Sequence, residues 1–205
     1  MGTREIGIFA LGTVLAPGEL LPLHIFEERY KQLIGDSLET GEPFLLLFSD
    51  DDGTRELGCA ASVIEVLQRY DDGRMNIVVE GGDLLRVVEM TRGKAYATGI
   101  VEDVADEIDA GDERDAALQL YRTFATASGL ETEDDDLESH ERPLSYLIMS
   151  RVDFPAADKQ KILEMRSERE RLMALVELLS RGLQSLQQVE QIRKRAQTNG
   201  KVPHG

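Results

Sequence analysis

Residues 15–30 read LAPGELLPLHIFEERY, and the two prolines in this stretch decide how the rest of the chain is interpreted. Pro17-Gly18 is typical of a turn, because proline presets φ at the second turn position and glycine accepts a positive φ at the next. Pro22 disfavours helix in the residue before it and cannot donate to a central ladder, so residues 20–23 are predicted to be a bent, extended segment. From Ile25 onward apolar residues recur at helical spacing. The stretch therefore predicts a proline-bent strand that leads directly into an amphipathic helix.

The bent strand has two interpretations. A proline-broken strand at a sheet edge leaves backbone groups and apolar side chains available to another chain. The residues of such an apolar binding groove would be Leu21, Pro22, Leu23, Phe26 and Tyr30. The alternative, which the spacing alone favours, is a core strand with a bend in which these side chains are buried. For Phe26 in particular we expect a core position.

The first half of the chain has the pattern of a β-meander with one inserted helix. Asp-Gly pairs at residues 52–53 and 72–73 lie between apolar runs, which is a strong hairpin signal because tight turns need a positive φ. Gly81-Gly82 interrupts an apolar run and is best explained as a bulge. Sheets of this kind usually curl to hide their edges, so we expect a partly open barrel or a pair of curled sheets. The predicted strands are residues 6–15, 20–23, 44–48, 57–68, 75–80, 84–90 and 95–104.

A change in composition separates this meander from a helical half. Residues 102–115 contain eight acidic side chains and one arginine, Arg114, which is typical of a hydrated linker. Beyond it the apolar residues follow helical spacing, and the last predicted helix is long. We therefore expect an α+β protein with a β-rich subdomain at residues 1–108, an α-helical bundle at 109–197 and a disordered tail at 198–205. The predicted helices are residues 116–128, 143–152, 158–165 and 167–196.

Composition excludes several classes of function. The 205 residues carry a formal net charge of −16, which repels phosphate backbones and anionic membrane surfaces. Tryptophan is absent, so a stacking platform for single-stranded nucleic acid is not expected. No apolar run approaches the ~20 residues that span a bilayer. Cys59 is the single cysteine, which rules out an intrachain disulfide. We therefore expect a cytoplasmic protein with no nucleic-acid or membrane partner.

Motifs that would carry chemistry are missing from the sequence. There is no Gly-x-x-x-x-Gly-Lys-[Ser/Thr] phosphate loop and no Gly-x-Ser-x-Gly nucleophile elbow. His24, His140 and His204 have no zinc-ligand spacing. Cys59 lies among small apolar residues and is predicted to be an inert buried thiol. The acidic run at residues 130–141 lacks the spacing of a calcium loop and is predicted to be solvated. No catalytic residue, metal site or cofactor is expected.

Four segments, in order along the chain, resemble those of one known family. LLPLHIFEERY at residues 20–30 is similar to the Pro-Leu-x-[Ile/Val]-Phe-Glu-x-Arg-Tyr signature of the N-terminal substrate-binding domain of the Lon protease family. GCAASVIE at 58–65 and GGDLLRV at 81–87 resemble two strands of that domain, and DKQKILE at 158–164 with ERL at 170–172 resembles its closing helical hairpin. The first signature is fairly specific, and the others gain weight from their order.

The resemblance implies a PUA-like curled sheet joined to a helical bundle, in a domain that recognises polypeptides. The ATPase module and the Ser-Lys peptidase of full-length Lon have no counterpart in this sequence, so we expect no peptide hydrolysis. The expected partners are unfolded or exposed polypeptide segments, with a protease or chaperone component as a further candidate, and the expected state is a monomer or weak homodimer. The alternative is an interaction subunit or scaffold of a larger assembly, and a cryptic hydrolase is the third hypothesis.

Overall fold

The computed structural model describes residues 3–107, 111–130, 137 and 142–199. The chain divides into two compact units. The first is formed by Met1–Glu107 with Tyr146–Arg166, and the second by Ile108–Ser145 with Ser167–Gly205. The strands are β1 (Arg4–Leu11), β2 (Leu20–Ile25), β3 (Phe44–Asp50), β4 (Gly53–Thr54), β5 (Leu57–Arg69), β6 (Met75–Thr91) and β7 (Thr98–Asp103). The helices are α1 (Glu28–Thr40), α2 (Glu113–Ser128), α3 (Leu144–Arg151), α4 (Ala156–Leu163) and α5 (Glu168–Asn199).

The sheet of the first unit closes on itself. Its strands follow the order β1-β7-β6-β5-β3-β4, and β1 also pairs in parallel with β3, from Ile8 opposite Leu45 to Leu11 opposite Phe48. Five strands, β1, β7, β6, β5 and β3, therefore form a ring with no free edge along these pairings. The predicted α+β class, the curled antiparallel sheet and the long last helix are confirmed.

Turn glycines fix two hairpins of the first unit, the one between β3 and β4 and the one between β5 and β6. Gly53 and Gly73 have φ values of 113° and 81°, the left-handed region that their Asp-Gly turns require. The predicted break at Gly81-Gly82 is wrong, because β6 is continuous. The pairing instead steps from Cys59–Leu84 to Ala61–Gly81, which leaves one extra residue on β6 as a bulge.

The interior of the ring is apolar, and α1 packs beside it. The Tyr30 ring stacks on Phe9 with centroids 3.9 Å apart, and its hydroxyl donates to the carbonyl of Ala10 at 3.0 Å. The helix begins at Glu28 rather than Ile25, because β2 continues its pairing with β6 as far as Ile25. The buried residues of the ring cluster are Ile6, Ile8, Leu45, Leu47, Ala60, Leu85 and Val101.

Helix α4 belongs to the first unit. Lys159 forms a buried ion pair with Glu19 at 2.9 Å, and the amide of Gln160 donates to the carbonyl of Leu57 at 3.1 Å. These bonds tie α4 to the segment before β2 and to the start of β5. The compact units therefore divide the chain differently from the predicted boundary at residues 108/109, since residues 146–166 pack with the strands.

The second unit contains α2 and α5. Gly182 of α5 lies against Phe124 of α2, where an added Cβ would come within 2.7 Å of the ring. Glu168 accepts hydrogen bonds from the backbone N–H and the hydroxyl of Ser145, and Arg171 bonds the same carboxylate at 2.9 Å, all three fully buried. The predicted tail lies mostly outside the described residues, and its first two positions are the end of α5.

Candidate functional site

Beyond the ring, β5 and β6 continue and, with β2 paired to β6, form a small antiparallel sheet, which we call the outer sheet. It consists of β2, residues 75–80 of β6 and residues 62–69 of β5. Leu23 lies opposite Ile77, and Ile77 opposite Val66, so one row of side chains crosses all three strands. Because side chains alternate along a strand, the outer sheet has one buried face and one solvent face.

Four large apolar side chains of the outer sheet are exposed to solvent. Leu20, Phe26, Ile64 and Leu67 belong to its two flanking strands or their ends, and each is 49–60% exposed. They are four of the six large hydrophobic residues that the described part of the first unit exposes. Large exposed apolar side chains that are gathered on one small sheet mark an interaction site more often than scattered single residues do.

Two bulges in β5 place Ile64 and Leu67 on this solvent face. The pairing shifts between Val63 and Glu65 and again between Val66 and Gln68, so one extra β5 residue is inserted at each step. A bulge turns neighbouring side chains toward the same side of the sheet. Ile64 and Leu67 are three residues apart, so strict alternation would have directed one of them inward. The bulges therefore enlarge the exposed apolar surface.

An ordered aromatic cluster stands at one end of the solvent face. His24 Nδ1 lies 2.6 Å from Asn76 Oδ1, and the Asn76 amide donates to the hydroxyl of Tyr70 at 3.2 Å. Since the Asn76 nitrogen is the donor to Tyr70, its oxygen accepts and His24 Nδ1 carries the hydrogen. The His24 ring stacks on Phe26 with centroids 5.9 Å apart and meets Tyr70 edge-on at 6.3 Å. The cluster presents rings held in place before any ligand arrives.

Both free edges of the outer sheet are poor templates for an additional strand. Gly81 N–H donates to the Glu19 carbonyl, which places the hydrogen-bonded pairs of β2 at the odd-numbered residues and turns Pro22 outward. The outer edge of β2 therefore lacks a donor at its centre. The edge of β5 is interrupted by the two bulges. Binding at this site is expected to use side chains on the face rather than backbone groups at the edge.

The predicted groove residues separate into three groups. Pro22 and Phe26 are exposed, Leu21 is half-buried, and Leu23 and Tyr30 are 8% and 6% exposed in the core. The interpretation of Phe26 as a core residue is wrong. Sequence reasoning missed Leu20, His24, Ile64, Leu67 and Tyr70 as members of the same surface. The missing signal was the pairing of β2 with β6, because it brings together residues far apart in the chain.

The Cys59 thiol and the potential metal ligands are the groups of the described residues whose surroundings bear on chemistry. Cys59 is buried, its thiol donates to the carbonyl of Gly82 at 3.2 Å, and burial raises its pKa well above the ordinary value, so it is not a nucleophile. Within residues 3–107, 111–130, 137 and 142–199, no three potential ligand side chains lie close enough together to hold a metal ion. Among the helices that the structure describes, none combines the length and apolar character needed to cross a membrane.

Solved structures with the same architecture are N-terminal domains of Lon-type proteins. The Lon N-terminal domain protein from Xanthomonas campestris matches with a TM-score of 0.64 at 19% identity, over 85% of this chain and 98% of that one. The N-terminal domain of Mycobacterium avium complex Lon protease matches with a TM-score of 0.67 at 21% identity, over 86% and 98% of the two chains. These likenesses define the fold.

Sequence comparison defines the family. The model of the ATP-dependent protease La (LON) substrate-binding domain matches residues 5–181, and the chain therefore belongs to this family. Among curated relatives, the Lon protease of Chloroherpeton thalassium is 26% identical over 91% of this chain, and Lon protease 2 of Myxococcus xanthus is 25% identical over 82%. The chain spans 24% and 22% of the length of these relatives, about a quarter. The matched part is the substrate-binding domain.

Proposed function

We propose that this chain is a non-catalytic module that binds unfolded or exposed segments of polypeptides, and that the solvent face of the outer sheet is its binding surface. The observation that carries the proposal is the grouping of Leu20, Phe26, Ile64 and Leu67 on one face of a three-stranded sheet. Membership of a substrate-binding domain family gives the class of ligand.

Recognition on the face would permit a broad choice of ligand. Apolar burial is non-directional, so the surface accepts different sequences that carry apolar side chains at suitable spacing. Each large side chain that becomes fully buried contributes roughly 1.5–3 kcal/mol, and residues already half-buried contribute less. Because ordering an unfolded segment opposes binding, affinities in the micromolar range are expected.

The same proposal covers the class of partner, the cellular location and the lack of peptide hydrolysis. A net charge of −16 disfavours nucleic acid as a ligand, and the partner is therefore a polypeptide, or a protease or chaperone component that delivers one. We place the protein in the cytoplasm, and we propose that it does not hydrolyse peptide bonds by itself.

Fluorescence anisotropy with labelled, unfolded casein tests the binding surface. The double variant Phe26→Ser/Leu67→Ser is expected to weaken binding at least tenfold, because it removes two exposed apolar side chains from opposite strands of the outer sheet. Met173→Ser is the matched control, since Met173 is equally exposed but lies on α5. Equal affinity of the double variant and the control would contradict the proposal. Leu23→Asp is unsuitable for this purpose, because Leu23 is buried and its substitution would destabilise the fold.

A second candidate function, an interaction subunit of a larger assembly, is favoured by the end of α5. Val189 and Ile192 lie one helical turn apart there, and both are about half exposed or more. Light scattering over a range of concentrations tests this candidate. A mass that rises with concentration in the unmodified chain but not in Ile192→Glu would support assembly through α5, and a constant monomer mass would rule it out.

A further inference from the structure

The solvent face of the outer sheet carries two carboxylates, Glu65 and Glu80, toward one of its ends. Glu80 pairs with Leu20 on one side and with Ser62 on the other, and both of these partners are exposed. Glu65 pairs with Val78, which is two residues from Glu80 along β6 and therefore on the same face. Diagonal neighbours on one face of an antiparallel sheet lie about 7–8 Å apart, which places both carboxylates within reach of one cation between them.

Basic side chains are missing from this face within the three strand segments of the outer sheet. The only basic residue of these segments is Arg69, which pairs with the buried Met75 and therefore belongs to the opposite face. Glu65 forms no ion pair with any residue that the structure describes. Arg74 lies in the turn beyond the other end of the face and already pairs with Asp72 at 2.6 Å. The three segments therefore supply no cation to the acidic end.

Apolar side chains adjoin both carboxylates. Leu20 lies directly opposite Glu80, and Ile64 is inserted in β5 immediately before Glu65; both apolar side chains are exposed. Exposed ion pairs contribute little by themselves, so two carboxylates alone would not form a binding site. Lysine and arginine have a second means of contact here, because their methylene stems pack on apolar surface while the charged group stays in water. The arrangement suits a basic side chain that belongs to an apolar segment.

The aromatic cluster lies at the opposite end of the same face. His24 and Asn76 form an opposed pair there, and Asn76 is four residues from Glu80 along β6. At 3.3–3.4 Å per residue the two ends are about 13 Å apart, which is also the length of four residues of an extended ligand. Pro22 and Val78 form the opposed pair between the two ends. An apolar anchor at the aromatic end and a basic residue at the acidic end therefore fit when four positions separate them.

We propose that the outer sheet prefers apolar segments that carry a lysine or arginine four positions from their apolar anchor, with the basic group between Glu65 and Glu80. This inference rests on the proposed function, since it describes which polypeptides the same surface selects. Acidic segments are disfavoured twice, by these two carboxylates and by the net charge of −16. The surface thus selects by charge among segments that are all sufficiently apolar.

Amide chemical shifts of the full chain, titrated with three peptides, test the preference. The peptides are Ac-GFALVXG-NH2 with X as lysine, glutamine or glutamate, so that the phenylalanine anchor and X are four positions apart. All three are expected to shift the amides of Leu67, Asn76 and Val78. The lysine peptide should bind three- to fivefold more tightly than the glutamine peptide and at least tenfold more tightly than the glutamate peptide. Equal affinities would overturn the charge preference alone, whereas no shift with any peptide would overturn the proposed function as well.

Matched charge variants connect the preference to these two residues. Glu65→Gln/Glu80→Gln is expected to give the lysine and glutamine peptides equal affinity, with the affinity of the glutamine peptide unchanged. Glu39→Gln/Glu42→Gln removes the same charge from exposed residues at and just beyond the end of α1, and it should keep the preference for lysine above twofold. Equal loss of the preference in both variants would assign it to the net charge of the protein and overturn the proposal.

Moving the basic residue tests the spacing. In Ac-GFXALVG-NH2 the lysine is next to the anchor, and its advantage over glutamine should fall below twofold. Sodium chloride at about 0.5 M is expected to remove the lysine advantage of the first peptide set and to leave binding of the glutamine peptide, because salt screens exposed charges. An advantage that neither change affects would exclude the two carboxylates as its cause.

Discussion

The ring and the outer sheet share two strands, but they differ in whether their strand edges are paired and in which faces carry apolar side chains. In the ring every strand has neighbours on both sides, because β1 pairs with both β7 and β3. In the outer sheet, as far as the structure describes the chain, β2 pairs with β6 alone, and residues 62–69 of β5 also have only β6 as a neighbour. The ring is filled with apolar side chains, whereas the outer sheet carries them on both faces. This difference supports our proposal that the outer sheet serves recognition, while the ring serves stability.

The largest expected effect is a difference in stability loss between substitutions on the two faces of the outer sheet. Ile77→Asp places a charge on the buried face and is expected to lower the free energy of unfolding by about 4 kcal/mol, because the carboxylate has no partner there. Val78→Asp puts the same group on the solvent face of the same strand, with an expected loss of about 1 kcal/mol or less. Urea unfolding followed by circular dichroism measures both. Similar losses in the two variants would remove the distinction between the faces.

A smaller effect is expected at the bulge where β6 passes from the outer sheet into the ring. In Gly81→Ala the new methyl group would lie 2.1 Å from the carbonyl oxygen of Ala16, so the backbone must shift, at a cost of about 1–3 kcal/mol. Gly82→Ala is the control, since its nearest neighbour would be an ordinary 3.6 Å away. Thermal unfolding should show a lower midpoint for Gly81→Ala only, and an unchanged midpoint would mean that the junction is not tightly packed.

Restoring a backbone hydrogen-bond donor on the outer edge of β2 should increase pairing at that edge. Pro22→Val restores an N–H at the centre of the free edge, which adds one hydrogen bond to any strand that pairs there, about 1 kcal/mol. Self-association, measured by sedimentation equilibrium, is expected to rise about fivefold. Leu20→Val, which keeps the donor already present, serves as the control and should leave association unchanged. Equal behaviour of the two variants would show that Pro22 does not protect the edge.

The smallest effect concerns the ring's own surface. Asp36 on α1 accepts hydrogen bonds from Lys94 and Tyr96, and these bonds, that from Lys94 first, hold its pKa below the ordinary 3.8. Since the folded pKa is depressed, this contribution to stability is present above about pH 4 and is lost as pH falls through the folded value. In Lys94→Met the Asp36 pKa is expected to move back toward 3.8, as followed by carboxyl NMR. No movement would assign the shift to Tyr96.

The sequence predicted the ring far better than the recognition surface. Runs such as Phe44–Phe48 and the Asp-Gly turns are local signals, and local signals were enough to place the strands and hairpins. Which residues lie on the solvent face depends on the strand register. That register depends on two bulges in β5, and no residue type in the sequence indicates a bulge there. The same limit explains Phe26, whose apolar character indicated a core position although the chain leaves the sheet at that residue. Helix α4 was assigned to the helical half because its ties to Glu19 and Leu57 span long sequence separations.

The double pairing of β1 has a consequence for the order in which the chain acquires its structure. Ile8–Leu11 can find β3 early, but Ile6 pairs with Gly99, so closure requires nearly the whole first hundred residues. Contacts between such distant segments form slowly. During synthesis, Arg4–Gly7 are therefore expected to remain unpaired, and the sheet only half closed, until β7 has been synthesised. Pulsed hydrogen exchange would reveal this delay as late protection of the Ile6 amide relative to that of Phe9, and simultaneous protection would exclude it.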